Sequence, residues 1–311
     1  MKIVYAGTPD FATLPLQKII EAGFEVVGVI TQADKPQGRK GILTPPPVKT
    51  LAFEKGIPVL QPEKIRDEIE AVKALGGDIM VTCAYGQILT QAVLDCFEKG
   101  VWNIHAGLLP QYRGASPIQS CILNGETETG VSVMQTELGL DCGAVLCVEK
   151  TPIRETETYG ELSERLSFLG AELIVKALKR IEKGGYTLTP QGEENVNVVR
   201  KIDKEQAKID FHKTAKEIVD LVRGMNPAPV AFTQCGENKI NVYRAEAAAF
   251  DGGEAARIGE ILTDRPKQGL LVKCADGAVK LTEVQAAGGK KMSGGDFLNG
   301  RKVQKGQVFE C

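Results

Sequence analysis

Residues 2–31 read KIVYAGTPDFATLPLQKIIEAGFEVVGVIT, and the fold class is decided there. Lys2–Ala6 is a short apolar run ending at a turn, as a buried strand is. Phe11–Ala22 has the pattern of a helix and is ended by Gly23, and Glu25–Thr31 is a second strand. The turn between the first strand and the helix, Gly7-Thr8-Pro9-Asp10-Phe11, holds one glycine where a dinucleotide fingerprint has three. Proline at this point suits a helix start, and the glycine pattern argues against a nicotinamide-dependent oxidoreductase.

Working outward, the alternation continues to about residue 185. Helices are expected over Val48–Lys55, Glu63–Leu75, Leu89–Phe97, Ser116–Asn124 and Thr158–Lys183. Strands are expected over Ile57–Leu60, Asp78–Ala84, Val101–His105, Thr129–Glu137 and Ala144–Ile153. This order predicts an α/β fold: an open, mostly parallel, Rossmann-like sheet with helices on both faces. Its ligand crevice should lie beyond the C-terminal ends of the strands. A polar stretch with one weak strand (Asn195–Arg200) follows, then an amphipathic helix at His212–Met225. Short β-like runs come next: Val230–Gln234, Lys239–Ala245, Arg257–Thr263, Leu270–Lys273 and Ala278–Val284. Such spacing points to a small barrel or sandwich. The expected organisation is a catalytic domain over residues 1–184, a linker over 185–205 and a small C-terminal domain over 206–311.

Bulk properties agree with a globular enzyme. The chain has 311 residues, 43% of them hydrophobic and 25% charged, with a formal charge of −2. A near-neutral balance predicts no general attraction to nucleic acid or membrane. Residues 201–311 carry 18 Lys and Arg against 15 Asp and Glu, whereas the first 200 carry 20 against 25. A mildly basic C-terminal part is compatible with RNA contact and equally with solvated surface charge. The eight cysteines are scattered without a CxxC pair, so neither a zinc site nor any other metal is expected. No apolar run reaches the length of a membrane span, no charged-then-apolar leader precedes the first strand, and a reducing cytoplasm is expected.

The chemistry concentrates in residues 101–145, VWNIHAGLLPQYRGASPIQSCILNGETETGVSVMQTELGLDCGAV. Asn103 and His105 lie two apart at a strand end, which puts both on one face. His105 is one of only two histidines. The loop after it, with Gly107, Pro110, Gly114 and Pro117, can bring backbone groups close to a ligand. Asp141 lies in the glycine-flanked loop 138–143 and could end at the same sheet edge. On residue types alone, a catalytic set and a set of local hydrogen-bonding and turn residues both fit.

The segments NIHAGLLPQYRGASPIQ and ETGVSV with GLDCGAVL resemble the formyltransferases that use 10-formyltetrahydrofolate. The opening AGTPDFA, the stretch TQADKPQGRKGILTPPPVK and the tail AGGKKMS extend the likeness over nearly the whole chain. They point to the members whose acceptor is methionyl-initiator tRNA. The resemblance implies a catalytic trio at Asn103, His105 and Asp141 and a folate loop at Gly107, Leu108, Leu109 and Pro110. It also implies that Tyr85, Gly86, Gln87 and Ile88 help to line a pterin pocket. Gly107 departs from the family's usual serine, and Ala228 replaces a common aromatic in Asn226-Pro227-Ala228-Pro229. No metal is implied, and 10-formyltetrahydrofolate is the only small molecule expected besides the tRNA partner.

Formyl transfer needs a neutral amine and stabilisation of charge on the formyl oxygen. The Asn103 amide can donate to that oxygen, and an imidazolium at His105, favoured by a neighbouring Asp141, would add a second donor. Asp141 can accept a proton from the amine. Residues 32–47 form a loop of 16 residues carrying Lys35, Arg39 and Lys40, longer than the few residues usual between strand and helix. Such a loop fits a mobile surface excursion with solvated charges. The resemblance instead implies insertion at the acceptor end of the tRNA, with Arg39 as the main basic contact. Lys290 and Lys291, on an oligonucleotide-binding (OB-like) barrel, would track the tRNA backbone. A monomer is expected. Rival readings are transfer to a small amine, such as glycinamide ribonucleotide or an amino-sugar nucleotide, and a non-catalytic RNA-binding module. The long basic loop and the C-terminal domain argue against the first, and the intact Asn103, His105 and Asp141 against the second.

Overall fold

The computed structural model describes residues 1–38, 41–250, 255–300 and 302–310. They form two compact units. The first comprises residues 1–117, 128–152 and 163–199; the second comprises 118–127, 153–162 and 200–311.

In the first unit, strand β1 (Lys2–Gly7), helix α1 (Thr13–Glu21) and strand β2 (Glu25–Ile30) follow in order. A hairpin of β3 (Lys35–Gln37) and β4 (Ile42–Thr44) comes next, then α2 (Pro47–Glu54) and β5 (Val59–Leu60). After α3 (Ile69–Ala74) come β6 (Ile79–Cys83), α4 (Gln91–Leu94), β7 (Val101–His105) and the short β8 (Arg113–Gly114). Strands β9 (Glu128–Gln135) and β10 (Val145–Pro152), helix α6 (Tyr159–Lys183) from residue 163 on, and the short β11 (Val198–Val199) complete the series, while helix α5 (Pro117–Leu123) from residue 118 on and the first turn of α6 belong to the second unit. The main sheet has seven strands in the order β10-β9-β7-β6-β1-β2-β5. Strands β7, β6, β1, β2 and β5 run parallel. Strands β9 and β10 run antiparallel to their neighbours, so the sheet is mostly parallel, as expected. Five of the six β1 residues and all of β6 are buried, which is why both read as unbroken apolar runs.

The second unit contains α7 (Ala215–Gly224), then β12 (Ala231–Cys235), β13 (Asn238–Ala248), β14 (Leu270–Cys274), β15 (Gly277–Ala286), β16 (Met292–Ser293) and α8 (Gly294–Asn299). Helix α7 starts on a capping box: the Thr214 side chain accepts from the Glu217 N–H, and the Glu217 carboxylate accepts from the Thr214 N–H. The antiparallel order is β12-β13-β15-β14. Single bridges join its edges: Ile261 to Val272 on β14, Glu260 to Val308, and Gln234 on β12 to Glu310. These bridges curl the sheet into a barrel around a core that includes Phe211 and Phe309, whose rings stack 5.9 Å apart.

Several boundaries differ from the sequence reading. The helix expected over Glu63–Leu75 splits, because the Gln87 side chain takes up the backbone ahead of it. Its amide accepts from the Ile65 N–H and donates to the Pro62 and Glu63 carbonyls. The helix expected over Leu89–Phe97 is reduced to α4. Residues 257–263 form no strand and supply only the barrel's bridges. The loop expected over residues 32–47 contains the β3–β4 hairpin, and α8 had no signal in the sequence reading. Part of the stretch expected as a linker is β11, which pairs in parallel with β8.

Candidate active site

Three βα turns converge at the C-terminal edge of the sheet. The Thr8 hydroxyl and the Gln32 amide both donate to the Tyr85 carbonyl, at 3.0 and 3.1 Å. Gly86 follows at φ +85°, and a Cβ there would lie 2.4 Å from the Gln32 amide nitrogen. Glycine is therefore what lets the two turns close on each other.

On the neighbouring strands, Thr82 of β6 and Asn103 of β7 are register partners. The Thr82 hydroxyl donates to the Asn103 side-chain oxygen at 2.9 Å, which turns the amide NH₂ the other way. That NH₂ faces Asp141, at 3.4 Å from Oδ1. His105 is 4% exposed, and its Nδ1 lies 3.6 Å from Asp141 Oδ2, too far for a direct hydrogen bond. Asn103, His105 and Asp141 thus come together, although Asp141 is 36 residues beyond His105 in the chain. Asp141 Oδ2 also accepts from the Gly114 N–H at 2.8 Å. Both Asp141 (φ +48°) and Tyr112 (φ +56°) adopt the left-handed backbone conformation, strained for such residues and frequent at functional sites.

The His105 Nε2 lies 3.0 Å from the Tyr112 carbonyl. A carbonyl only accepts, so Nε2 carries the proton and, in the neutral ring, Nδ1 carries the lone pair. Burial lowers the imidazole pKa and outweighs the Asp141 carboxylate and the Tyr112 carbonyl, which raise it. Burial thus works against the imidazolium that the neighbouring carboxylate alone would favour. Gly107 packs under this ring, where a Cβ would lie 3.1 Å from Nε2 and 3.3 Å from the Pro117 Cβ.

The loop Gly107, Leu108, Leu109 and Pro110 hangs on Ser132 of β9. The Ser132 hydroxyl donates to the Gly107 carbonyl at 2.7 Å and accepts from the Leu109 N–H at 3.3 Å. Gly130 makes room for it, since a Cβ there would lie 2.6 Å from Leu108 Cδ2. Beside this loop, a pocket of about 350 Å³ is lined by Leu109, Pro110, residues 145–148 and residues 189–192.

Tyr85 and Gln87 direct their side chains into the protein. The Tyr85 ring is packed in the core, where burial pushes its hydroxyl up to about 12, and Gln87 holds residues 62–65. What this segment offers a ligand is the backbone around Gly86 and the 87% exposed side chain of Ile88. Leu138 and Leu140, in the Asp141 loop, are also exposed. Flat aromatic ligands suit such apolar side chains next to polar backbone.

Lys35 is exposed on β3 and donates to the Gln32 side chain at 2.7 Å. Arg39 and Lys40 lie outside the described residues. In the second unit, Lys290 is exposed, and Lys291 lies 3.5 Å over the Tyr243 ring and 3.9 Å from Glu283. Among the described residues, no group of three or more His, Cys, Asp or Glu side chains could hold a metal ion. None of their helices is long and apolar enough to cross a membrane.

Thr82, Ser132, Gln191 and Asn197 were missed in the sequence. Thr82 and Ser132 sit inside apolar strands, and only the register across the sheet reveals what they face. Gln191 Nε2 donates to the carbonyls of Asp141 and Gly143, at 2.8 and 2.7 Å, and its Oε1 accepts from Arg113 Nε at 3.0 Å. Asn197 accepts from the Tyr112 N–H through its side chain and from the Arg113 N–H through its carbonyl.

Residues 1–178 match the family described as formyl transferase, and residues 201–302 match the formyl transferase C-terminal domain. The chain is 43% identical to the methionyl-tRNA formyltransferase of Neisseria meningitidis serogroup C (strain 053442), covering 99% of this chain and 100% of that one. It is 42% identical to the methionyl-tRNA formyltransferase of Bacillus pumilus (strain SAFR-032), covering 98% and 96%. Among solved structures, the fold is similar to an N-formyltransferase from Helicobacter canadensis in complex with folinic acid and dTDP-3-aminofucose. The TM-score is 0.69 at 20% identity, over 90% of this chain and 98% of that one. HypX from Aquifex aeolicus in complex with tetrahydrofolic acid shares the fold with a TM-score of 0.68 at 18% identity. The match covers 98% of this chain and 48% of that one, so this chain spans about half the length of HypX.

Proposed function

The chain belongs to the formyl transferase family, and from that premise we propose that it moves a formyl group from 10-formyltetrahydrofolate to the amino group of methionyl-initiator tRNA. The observation that carries this reading is the identity of 43% running from end to end of both chains, C-terminal unit included. A folate-derived formyl donor fits the family, and the cytoplasm is the compartment where such an acceptor would be met.

In this reading the donor binds beside residues 85–88 and 107–110. The exposed side chains of Ile88, Leu138 and Leu140 give apolar contact, and the backbone of Gly86 and of the Ser132-held loop gives polar contact. The formyl group is the chemistry the donor supplies. Asn103, oriented by Thr82, donates its NH₂ to the formyl oxygen as charge grows there, a contact worth roughly 3–4 kcal/mol of barrier. His105 Nδ1 and the Asp141 carboxylate are two acceptors side by side, which suits an incoming amine with hydrogens to give. As the amine nitrogen bonds the formyl carbon, His105 takes the amine proton at Nδ1 and Asp141 stabilises the resulting imidazolium; the ring then returns that proton to N10 as the carbon–N10 bond breaks and tetrahydrofolate leaves. Lys35, Arg39, Lys40, Lys290 and Lys291 are assigned to tRNA phosphates.

The test is transfer of labelled formyl from 10-formyltetrahydrofolate to methionyl-initiator tRNA, with glycinamide ribonucleotide and amino-sugar nucleotides as alternative acceptors. Formyl-methionyl-tRNA is expected as the product. Label entering only the small amines would replace this reading with a small-amine formyltransferase.

A further inference from the structure

Two backbone partners of the trio's side chains share one source. The Tyr112 carbonyl, which fixes the protonated nitrogen of His105, belongs to the turn of residues 111–115, as does the Gly114 N–H that holds Asp141 Oδ2. That turn is itself held by residues 197–199. Asn197 Oδ1 accepts from the Tyr112 N–H, the Asn197 carbonyl accepts from the Arg113 N–H at 3.0 Å, and the Val199 carbonyl accepts from the Ala115 N–H at 2.9 Å. Gly114, at φ +115°, is pressed so close that a Cβ would lie 2.3 Å from the Val199 carbonyl oxygen. The same segment reaches the other side of the trio through Gln191, which bonds the carbonyls of Asp141 and Gly143 and ties both to Arg113. Upstream, Thr189 exchanges two backbone hydrogen bonds of 2.8 Å with Val145, fixing where the segment enters.

We propose that residues 189–199 are a positioning strap, in which Gln191 and Asn197 set the geometry of His105 and Asp141 through their hydrogen bonds to the backbone around those residues. The inference rests on the functional reading above, because it concerns the residues assigned to proton transfer there. Residues 192–198 are exposed, so no hydrophobic core hangs on them, and a strap with only a connecting role would tolerate substitution. A positioning strap would not. An error of about 1 Å at reacting groups costs on the order of a hundredfold in rate.

The experiment compares Asn197→Ala, Asn197→Asp and Gln191→Ala with the unaltered chain. Formyl transfer is measured, and histidine-selective NMR reads the His105 ring; the chain's only other histidine, His212, is exposed and can be assigned with His212→Gln. Asn197→Asp keeps an acceptor for the Tyr112 N–H and should retain kcat within about threefold, whereas the two alanine variants should lose roughly 10- to 100-fold in kcat with KM little changed. In Asn197→Ala the ring should no longer be held as a single Nε2-protonated tautomer, and its titration should move away from that of the unaltered chain. The amine substrate titrates identically in all samples, so any difference belongs to the protein.

Alanine variants with unaltered kcat and an unaltered imidazole spectrum would overturn the strap. So would equal losses in Asn197→Asp and Asn197→Ala. Failure of the functional reading looks different: the unaltered chain itself would not formylate the tRNA, while the NMR comparison would still report on the strap.

Discussion

His105 has one nitrogen committed to the Tyr112 carbonyl and a ring almost wholly removed from water. Its lowered pKa has a consequence for stability. The unfolded chain takes up a proton at this residue near the ordinary imidazole value of about 6.5, while the folded chain resists doing so until lower pH. Above that value neither state is protonated there and the residue contributes no pH dependence. As pH falls below about 6.5, the unfolded state binds the extra proton and folding stability declines. Urea unfolding at pH 7.0 and pH 5.5 should therefore show a larger loss for the unaltered chain than for His105→Gln, whose amide does not titrate. Equal losses would mean that the ring is freely protonated in the fold. Asn103, His105 and Asp141 were legible as candidates because Asn-x-His at a strand end and Asp between glycines are local patterns, but residue types left a purely structural role equally open and only the family resemblance singled them out as a set. The protonation state was not legible, since it follows from burial and from a carbonyl seven residues away whose direction depends on the left-handed Tyr112.

At the scale of elements, the β3–β4 hairpin shows what the sequence reading could not deliver. Lys35, Pro36 and Gln37 pair with Thr44, Leu43 and Ile42, a register that neither apolar alternation nor a turn dipeptide announces. Its base is fastened by a polar knot. Lys49 Nζ lies 2.8 Å from Asp34 Oδ1 and 2.6 Å from Gln61 Oε1, and the Gln61 amide donates to the Gln32 carbonyl at 2.8 Å. Lys49 and Gln61 hold the Asp34 carboxyl below the usual carboxylate range. Lys49→Met keeps the length of the side chain and removes its donors. KM for methionyl-initiator tRNA should rise roughly fivefold with kcat and the KM for the folate donor little changed, the pattern of lost ground-state binding. A rise in the donor KM instead would tie the knot to the folate crevice. Tertiary demand also explains the shortened helix after Gln61: the side chain of Gln87 outcompetes the helical hydrogen bonds of residues 62–65, an effect that residue spacing within the helix cannot signal.

At the scale of the molecule, the alternating order of strands and helices was enough to give the mostly parallel sheet, whereas the short spaced strands left a barrel and a sandwich both open and the resemblance pointed to the barrel. The closure of that barrel was not readable, because it depends on single bridges at residues 260, 261, 308 and 310 rather than on a strand. The Phe309 N–H donates to the Gly259 carbonyl at 2.9 Å, and the ring, fully buried, stacks on Phe211. Phe309→Ala should reduce the stability of the second unit by about 3–5 kcal/mol, the cost of emptying an aromatic site in a packed core. A chemical unfolding curve would read it, and a change below about 1 kcal/mol would mean that the end of the chain is dispensable to the barrel.

The hydrogen bonds from Asn197 and Val199 to the turn at residues 112–115 also bear on how this protein can be cut or built. The boundary drawn by family similarity ends at residue 178, a natural place to truncate a donor for a chimera or a minimal enzyme. Such a fragment would keep Asn103, His105 and Asp141 yet release the turn that aims two of them. During synthesis, likewise, a chain still attached to the ribosome would carry every reacting group well before it could use them, gaining competence only once residue 199 had cleared the exit tunnel.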